Sequence, residues 1–180
     1  MVKQMPDVAV QFVPLAPSHV PQALAIYNEY IQTTTVTFHQ KPLEAEEFRK
    51  LVFFGDSRYA AYAIVDAQTG RLAGYCVLAP YRSREAYRLT AELTIYLLPG
   101  YVGRGLGTKA VHLLEEYARG QGFHALLASI CGENVASIKL FERMGYQRVA
   151  CRKEVGYKFG RFLDVVEYEK IISEKSSHGK

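Results

Sequence analysis

The sequence predicts an α/β (α+β) fold, a mixed and mostly antiparallel sheet of about seven strands with helices on both faces. Three observations predict it. Short apolar segments, several with period-two alternation, recur seven times along the chain. Four segments with helical spacing are interleaved with them, giving the order β-α-α-β-β-β-α-β-α-β-β. The last two helical segments stand between strands as crossovers, whereas the other strands in the second half follow one another through short turns. At 180 residues, 49% hydrophobic and 22% charged, the chain has the ordinary make-up of one globular domain. That domain is expected over residues 1–173, with a polar tail at 174–180.

Each element has a local reason. VAVQFV (8–13) reads as a strand. Ser18 is placed to cap a helix running to about Ile31, along which Val20, Leu24, Tyr27 and Ile31 recur at helical spacing. TTTVTF (33–38) is rich in β-formers but falls where a loop must reverse the chain. Pro42 opens a second helix, LEAEEFRKLV, with acids in the first turn, where the helix dipole favours them. YAAYAIV (59–65) and RLAGYCVLA (71–79) form a hairpin around DAQTG. RLTAELTIYL (88–97) reads as the longest strand, with Leu89, Ala91, Leu93 and Ile95 on one face and Thr90, Glu92, Thr94 and Tyr96 on the other.

Pro99 and a run of glycines break that strand, and a helix follows over about 104–119, with Leu106, Ala110, Leu113 and Tyr117 on its apolar stripe and Gly120 and Gly122 at its end. FHALLASI (123–130) is a buried strand, NVASIKLFERM (134–144) a short helix stopped by Gly145, and YQRVACRKEV and RFLDVVEYEKII two strands flanking GYKFG.

Composition narrows the function classes. The net charge of +4 favours anionic ligands, but it is too small and too dispersed for nucleic-acid binding, and no Lys/Arg block exists. The start, MVKQMPDVAV, has no long apolar run, and no stretch approaches the ~20 apolar residues of a membrane span. A cytoplasmic protein without a membrane partner is therefore expected. Cys76, Cys131 and Cys151 are odd in number and widely spaced, which fits reduced thiols packed as small hydrophobes. The five histidines show no ligand spacing, so no metal is expected.

The segment with chemical content is GYVGRGLGTKA (100–110), in which Gly103, Gly105 and Gly107 lie between a strand end and a helix start. The first amides of a helix lack internal partners and carry the positive end of its dipole. Without side chains in the way, a phosphate can sit on them, and Arg104, Thr108 and Lys109 add donors. Glycine spacing alone equally fits a tight turn packed against the sheet. Two familiar phosphate loops are near misses: Thr108-Lys109 reverses the Walker order, and the segment from Gly103 reads GxGxxT with no acid at the end of the next strand.

These residues resemble the GNAT superfamily of acetyl-CoA-dependent N-acetyltransferases. VGRGLG (102–107) is similar to the family's Gln/Arg-x-x-Gly-x-Gly/Ala loop, departing from it at Val102, and ENVASIKLFERMGY (133–146) fits a second family signature. Within the superfamily the chain is similar to the phosphinothricin and methionine sulfoximine acetyltransferases through IYNEYIQTTTVTFHQKPL, APYRSREAYRLTAELTIYL and EVGYKFGRFLDVV. Where members of this group carry His, and other members of the superfamily Tyr, this chain has Phe141, which can act neither as base nor as acid.

The resemblance implies acetyl transfer to the amine of a small amino acid or analogue, by direct attack in a ternary complex. It assigns coenzyme binding to Ile95, Tyr96, Leu97, Gly103, Arg104, Gly105, Leu106, Gly107, Thr108 and Asn134. The pantetheine arm would pair with the strand edge, and the Leu97 amide could meet charge developing on the thioester oxygen. Asn134 also reads as a helix N-cap. Glu92 is the expected base: it sits on the polar face of a strand among apolar positions, where burial would bring its pKa closer to neutral pH. A solvent-facing or Arg88-paired carboxylate is the competing reading. Arg82 and Arg84, with Glu85, Ala86 and Tyr87, match the group's substrate loop, and a guanidinium suits an α-carboxylate, although a solvated basic loop would look the same. Phe38 is either an apolar wall for the substrate or core.

The resemblance further implies a homodimer whose C-terminal hairpins complete each other's pockets. The alternatives are a protein or other amine acceptor, and a non-catalytic acyl-CoA-binding sensor.

Overall fold

The computed structural model describes residues 9–173; Val8, the expected start of the first strand, and the expected tail 174–180 lie outside the described residues. β1 (Val10–Pro14) leads through a 3-10 turn at Pro17–His19 into α1 (Val20–Thr33) and α2 (Ala45–Val52). Next come β2 (Ala60–Asp66), β3 (Leu72–Pro80) and β4 (Thr90–Leu97). The rest of the chain forms α3 (Leu106–Gly120), β5 (Ala125–Cys131), α4 (Val135–Arg143), β6 (Gln147–Lys158) and β7 (Arg161–Ile171). The observed element order is the one expected.

Among the described residues seven strands make one sheet in the order β1-β2-β3-β4-β5-β7-β6, and only β4 and β5 run parallel. Alternation along the strands sends side chains to two cores, one on each face. Leu72, Tyr75, Val77 and Tyr96 pack with Tyr27, Ile31 and Phe48 of α1 and α2. Cys76, Leu78, Ala91 and Leu93 pack on the opposite face with Leu106, Ala110 and Leu114 of α3 and with Phe141 of α4.

Several local expectations are corrected. Ser18 caps nothing: it lies within the 3-10 turn, and α1 begins after His19 with a proline in its first turn, which needs no capping side chain there. α2 starts at Ala45 rather than beside Pro42, because Glu44 and Glu47 form a capping box in which the Glu44 amide donates to Glu47 Oε2 at 2.9 Å. The longest strand is β6, with 12 residues, not β4. Leu89 precedes β4 and is exposed, its carbonyl accepting from the amides of His124 and Ala125. The stripe of α3 runs through Val111, Leu114 and Ala118 rather than Leu113 and Tyr117; it also buries Glu115, which pairs with Lys170 at 2.8 Å and Arg119 at 3.2 Å. Gly120 is still helical, and Gly122, at φ 76°, makes the reversal. The last hairpin turns in only two residues, Phe159 and Gly160, at φ 51° and 75°, as a type I′ turn requires.

Candidate active site

β4 and β5 pair over only three positions, Thr90↔Ala125, Ala91↔Leu126 and Glu92↔Leu127. Beyond Glu92 they diverge: β4 stays on β3 as far as Gly74↔Leu97, while β5 stays on β7 as far as Cys131↔Val165. The gap between them opens into a cavity of about 900 Å³. Tyr75↔Tyr96 pairs across to β3 and the Leu98 amide donates to Ala73 O, so the amides of even-numbered residues face β3. Those of Leu93, Ile95 and Leu97 therefore face the gap. The Leu97 carbonyl on the same edge is taken by the Tyr30 hydroxyl at 2.7 Å. A peptide-like ligand lying in the gap would meet free donors.

The glycine turn closes one end of this cavity, through Gly103, Gly105, Gly107 and Thr108. Its three glycines have two different causes. Gly103 and Gly105 adopt φ 80° and 75°, and a Cβ on either would meet nothing within 4 Å, so the space above them is open. A Cβ on Gly107 would lie 2.9 Å from Leu140 Cδ2, so this glycine lets α4 approach α3. The close packing expected at this turn is therefore found at Gly107 alone, and against α4 rather than against the sheet. Gly105 is the N-cap of α3 and supplies no side chain to its amides, and the first intrahelical bond runs from the Lys109 amide to Gly105 O. The amides of Leu106, Gly107 and Thr108 remain to be satisfied from outside, at the positive end of the helix. An anion with an extended amide-bearing arm fits this combination.

Glu92 lines the cavity at the point where the strands part. Burial raises the pKa of its carboxyl, and nearby Glu167 adds to the rise; the Ser129 hydroxyl and amide beside it partly oppose that rise. Glu167 is itself held by Arg152 at 2.9 Å. Among the described residues Arg88 is not a partner of Glu92; its carbonyl instead accepts from Arg58. A half-buried carboxylate with a raised pKa is a stronger base than a solvated one and is suited to taking a proton from an ammonium.

Most expected residues converge here. Phe38, Glu92, Ile95, Tyr96, Leu97, Gly103, Gly105, Gly107, Thr108 and Asn134 all line the cavity. Asn134 is also an N-cap, its Oδ1 accepting from the Ser137 amide at 3.2 Å. Tyr96 offers the gap no free amide, since its main chain pairs with Tyr75, and its ring packs in a cluster with Tyr27, Tyr30 and Tyr75. Leu106 is wholly buried in the core, which leaves its amide alone to face a ligand. Arg104 turns onto the Tyr101 ring at 5.6 Å, and its buried Nε has no hydrogen-bond partner among the described residues. Arg82, Arg84, Glu85, Ala86 and Tyr87 do not line the cavity. They follow β3 through a 3-10 turn at Glu85–Tyr87, with Arg82 lying over Tyr81 and Tyr87 at 4.9 and 5.6 Å.

The sequence did not single out Tyr30, Val36, Thr37, Ser129, Lys139 or Arg143, all of which line the cavity. Ser129 sits at an outward position of a strand that reads as plain core, and Tyr30 falls on a helix whose stripe explains it without the site. Lys139 and Arg143, one turn apart on α4, could have been found as a basic pair on the helix after Asn134.

Among the described residues no three His, Cys, Asp or Glu side chains are grouped to hold a metal ion, and no helix is long and apolar enough to cross a membrane.

Comparison with known proteins bears on this geometry. The model of the acetyltransferase (GNAT) family matches residues 23–146. A phosphinothricin N-acetyltransferase from Streptomyces coelicolor is 35% identical over 149 residues, 82% of this chain and 87% of that protein. An L-methionine sulfoximine/L-methionine sulfone acetyltransferase from Pseudomonas aeruginosa is 34% identical over 147 residues, 81% and 84% of the two chains. A putative acetyltransferase from Salmonella typhimurium, solved with its cofactor acetyl-CoA, superposes with a TM-score of 0.82 at 26% identity over 95% of this chain and 98% of that one.

Proposed function

We propose a function on one premise: the chain belongs to the acetyltransferase (GNAT) family. It moves the acetyl group of acetyl-CoA to the amine of a small amino acid or analogue, of the kind named for its phosphinothricin and methionine sulfoximine relatives. The observation that carries this reading is the convergence, in one cavity, of an uncapped helix start, an unpaired strand edge and a desolvated carboxylate.

In this reading the diphosphate rests on the amides opening α3, between Gly103 and Thr108, and the pantetheine arm pairs with Ile95 and Leu97. Glu92 takes the proton of the acceptor ammonium. The freed amine attacks the thioester carbon, a C–N bond forms and the C–S bond breaks. The Leu97 amide meets the transient oxyanion. The nitrogen, positively charged after attack, loses its second proton to water, and the departing thiolate takes up a proton from that water or is stabilised near the start of α4, since Phe141 offers no hydroxyl. Tyr146, packed edge-on against Phe141 at 5.0 Å, is held protonated by burial and by the nearby Glu115 carboxylate. Arg82 and Arg84 stand after β3, whose Ala79 is paired with Glu92, and are assigned the acceptor's carboxylate.

The enzyme works as a single domain over residues 1–173, without a metal, in the cytoplasm and as a homodimer. Support for the dimer comes from the β6–β7 hairpin, where Val155, Tyr157, Phe159 and Phe162 are all more than half exposed. The test is thiol release from acetyl-CoA with a panel containing phosphinothricin, methionine sulfoximine, methionine sulfone and the common amino acids. Release with at least one of them is expected. Coenzyme binding without release would favour a sensor.

A further inference from the structure

Lys158, at the end of β6, is a lysine only 3% exposed. Its ammonium donates to the Thr37 carbonyl at 2.7 Å, across 121 residues of sequence, and lies 5.1 Å from the Phe159 ring centroid. Among the described residues no carboxylate pairs with it. Burying an ammonium on a single neutral acceptor is costly, and burial pulls its pKa down accordingly. The expense falls on one place, the turn of chain after α1 that supplies Val36, Thr37 and Phe38 to the cavity wall.

The surrounding contacts make the same attachment. Gly156 is two residues before Lys158 and so on the same face of β6. A Cβ there would overlap the Phe38 ring, so the glycine makes room for Phe38. Gln40 donates to Tyr157 O at 3.2 Å. At the outer end, Arg161 grips both oxygens of Glu133, and Thr35 donates to the same carboxylate at 3.2 Å. From the other side Tyr27 fixes Thr37, hydroxyl to hydroxyl at 2.9 Å. The tight turn at Phe159–Gly160 sets the register that puts Lys158 opposite Arg161. The whole hairpin lies beyond the residues matched by the family model.

We propose that Lys158 is a positioning residue for the acceptor side of the site: its ammonium pins the main chain at Thr37 and so sets the Val36–Phe38 wall that receives the acceptor's side chain. The acceptor part of this proposal rests on the function proposed above; the pin itself does not. Lys158→Met keeps length and volume and removes the donor. In the full-length enzyme without substrates, amide hydrogen exchange over residues 35–40 should quicken about tenfold, the value of one hydrogen bond from a charged donor. With the amino acid that the wild type uses best, the acceptor KM should rise about tenfold, while the acetyl-CoA KM stays within about twofold and Tm does not fall.

Unchanged exchange over 35–40 overturns the pin. Acceptor and coenzyme KM rising together with a lower Tm would make Lys158 a general scaffold residue and overturn its acceptor role. Should Lys158→Met fail to fold, Lys158→Gln, polar but too short to reach Thr37, carries the same expectations for exchange and for the two KM values, with a lower Tm from its unpaired buried amide. A wild-type enzyme that acetylates no amino acid sinks the function proposed above, and the exchange measurement still decides the pin.

Discussion

The two walls of the cavity are built by different means. The wall assigned to the coenzyme is almost all main chain and nearly continuous, from Ile95 to Thr108, with its donors exposed by a strand that loses its neighbour and a helix that starts without a cap. The wall assigned to the acceptor is made of side chains drawn from far apart: Phe38 after α1, Glu92 on β4, Ser129 on β5, and the hairpin behind them. A ligand common to many enzymes can be held by backbone, which any sequence supplies once its geometry is fixed. A ligand particular to one enzyme needs side chains, and these can change without disturbing the first wall. On this view, damage to one wall should leave the other working.

The harshest way to break that separation is Gly105→Glu. A left-handed backbone costs a side chain about 1–3 kcal/mol, and the new carboxylate would sit where an anion is proposed to bind. Acetyl-CoA affinity measured by calorimetry should fall by at least about a hundredfold; normal titration would move the diphosphate elsewhere.

Next in size, Glu92→Gln should lower kcat about 10²–10⁴-fold while coenzyme affinity holds. Wild-type kcat/KM should rise with pH through the raised pKa of Glu92, and the variant should lose that limb. The stability effect has the opposite sense to that of an ion-paired acid. The folded state holds the Glu92 proton more tightly than the unfolded chain does, so the wild type loses stability as pH rises through this range, and Glu92→Gln should melt no lower than the wild type at neutral pH.

Smaller again, Glu133→Gln weakens an exposed ion pair with Arg161 and should raise the acceptor KM by no more than about threefold, without touching the coenzyme KM. The smallest effect is the sharpest test of wiring within one wall. Ser129→Ala removes a donor that favours the charged form of Glu92, so the acidic limb of the pH–rate profile should move to higher pH with little change in its plateau.

The same division decided what could be read from the sequence. The glycines at 103–107 and the proline at 99 mark backbone events, and such marks are local, so the turn, the strand before it and the helix after it were legible. Asn134 was legible as a cap for the same reason. The Ser18 and Pro42 boundaries failed because two capping arrangements competed within a few residues, and the winners, a proline after His19 and the Glu44–Glu47 pair, carry equally local signals. The stripe of α3 slipped by one residue because Leu113 and Leu114 both fit its spacing, and only the sheet beneath decides between them. Ser129 had no signal at all, and Lys158, although inside the matched segment EVGYKFGRFLDVV, had none for its role. Thr37, the partner of Lys158, lies 121 residues away, and the partner of Ser129 is on a strand that pairs with its own for just three positions. Phe38 stayed ambiguous because an aromatic ring packed on Gly156 and one facing a ligand look alike in one dimension.

The parting of β4 from β5 also bears on how the molecule avoids its own kind. An unsatisfied strand edge on a protein's rim invites foreign chains to add to the sheet. Here that edge lies in a cleft between two strands of one sheet, with Tyr30 occupying the Leu97 carbonyl on it. The bonding capacity of this edge is thereby turned inward, to the cavity, rather than offered at the rim of the sheet.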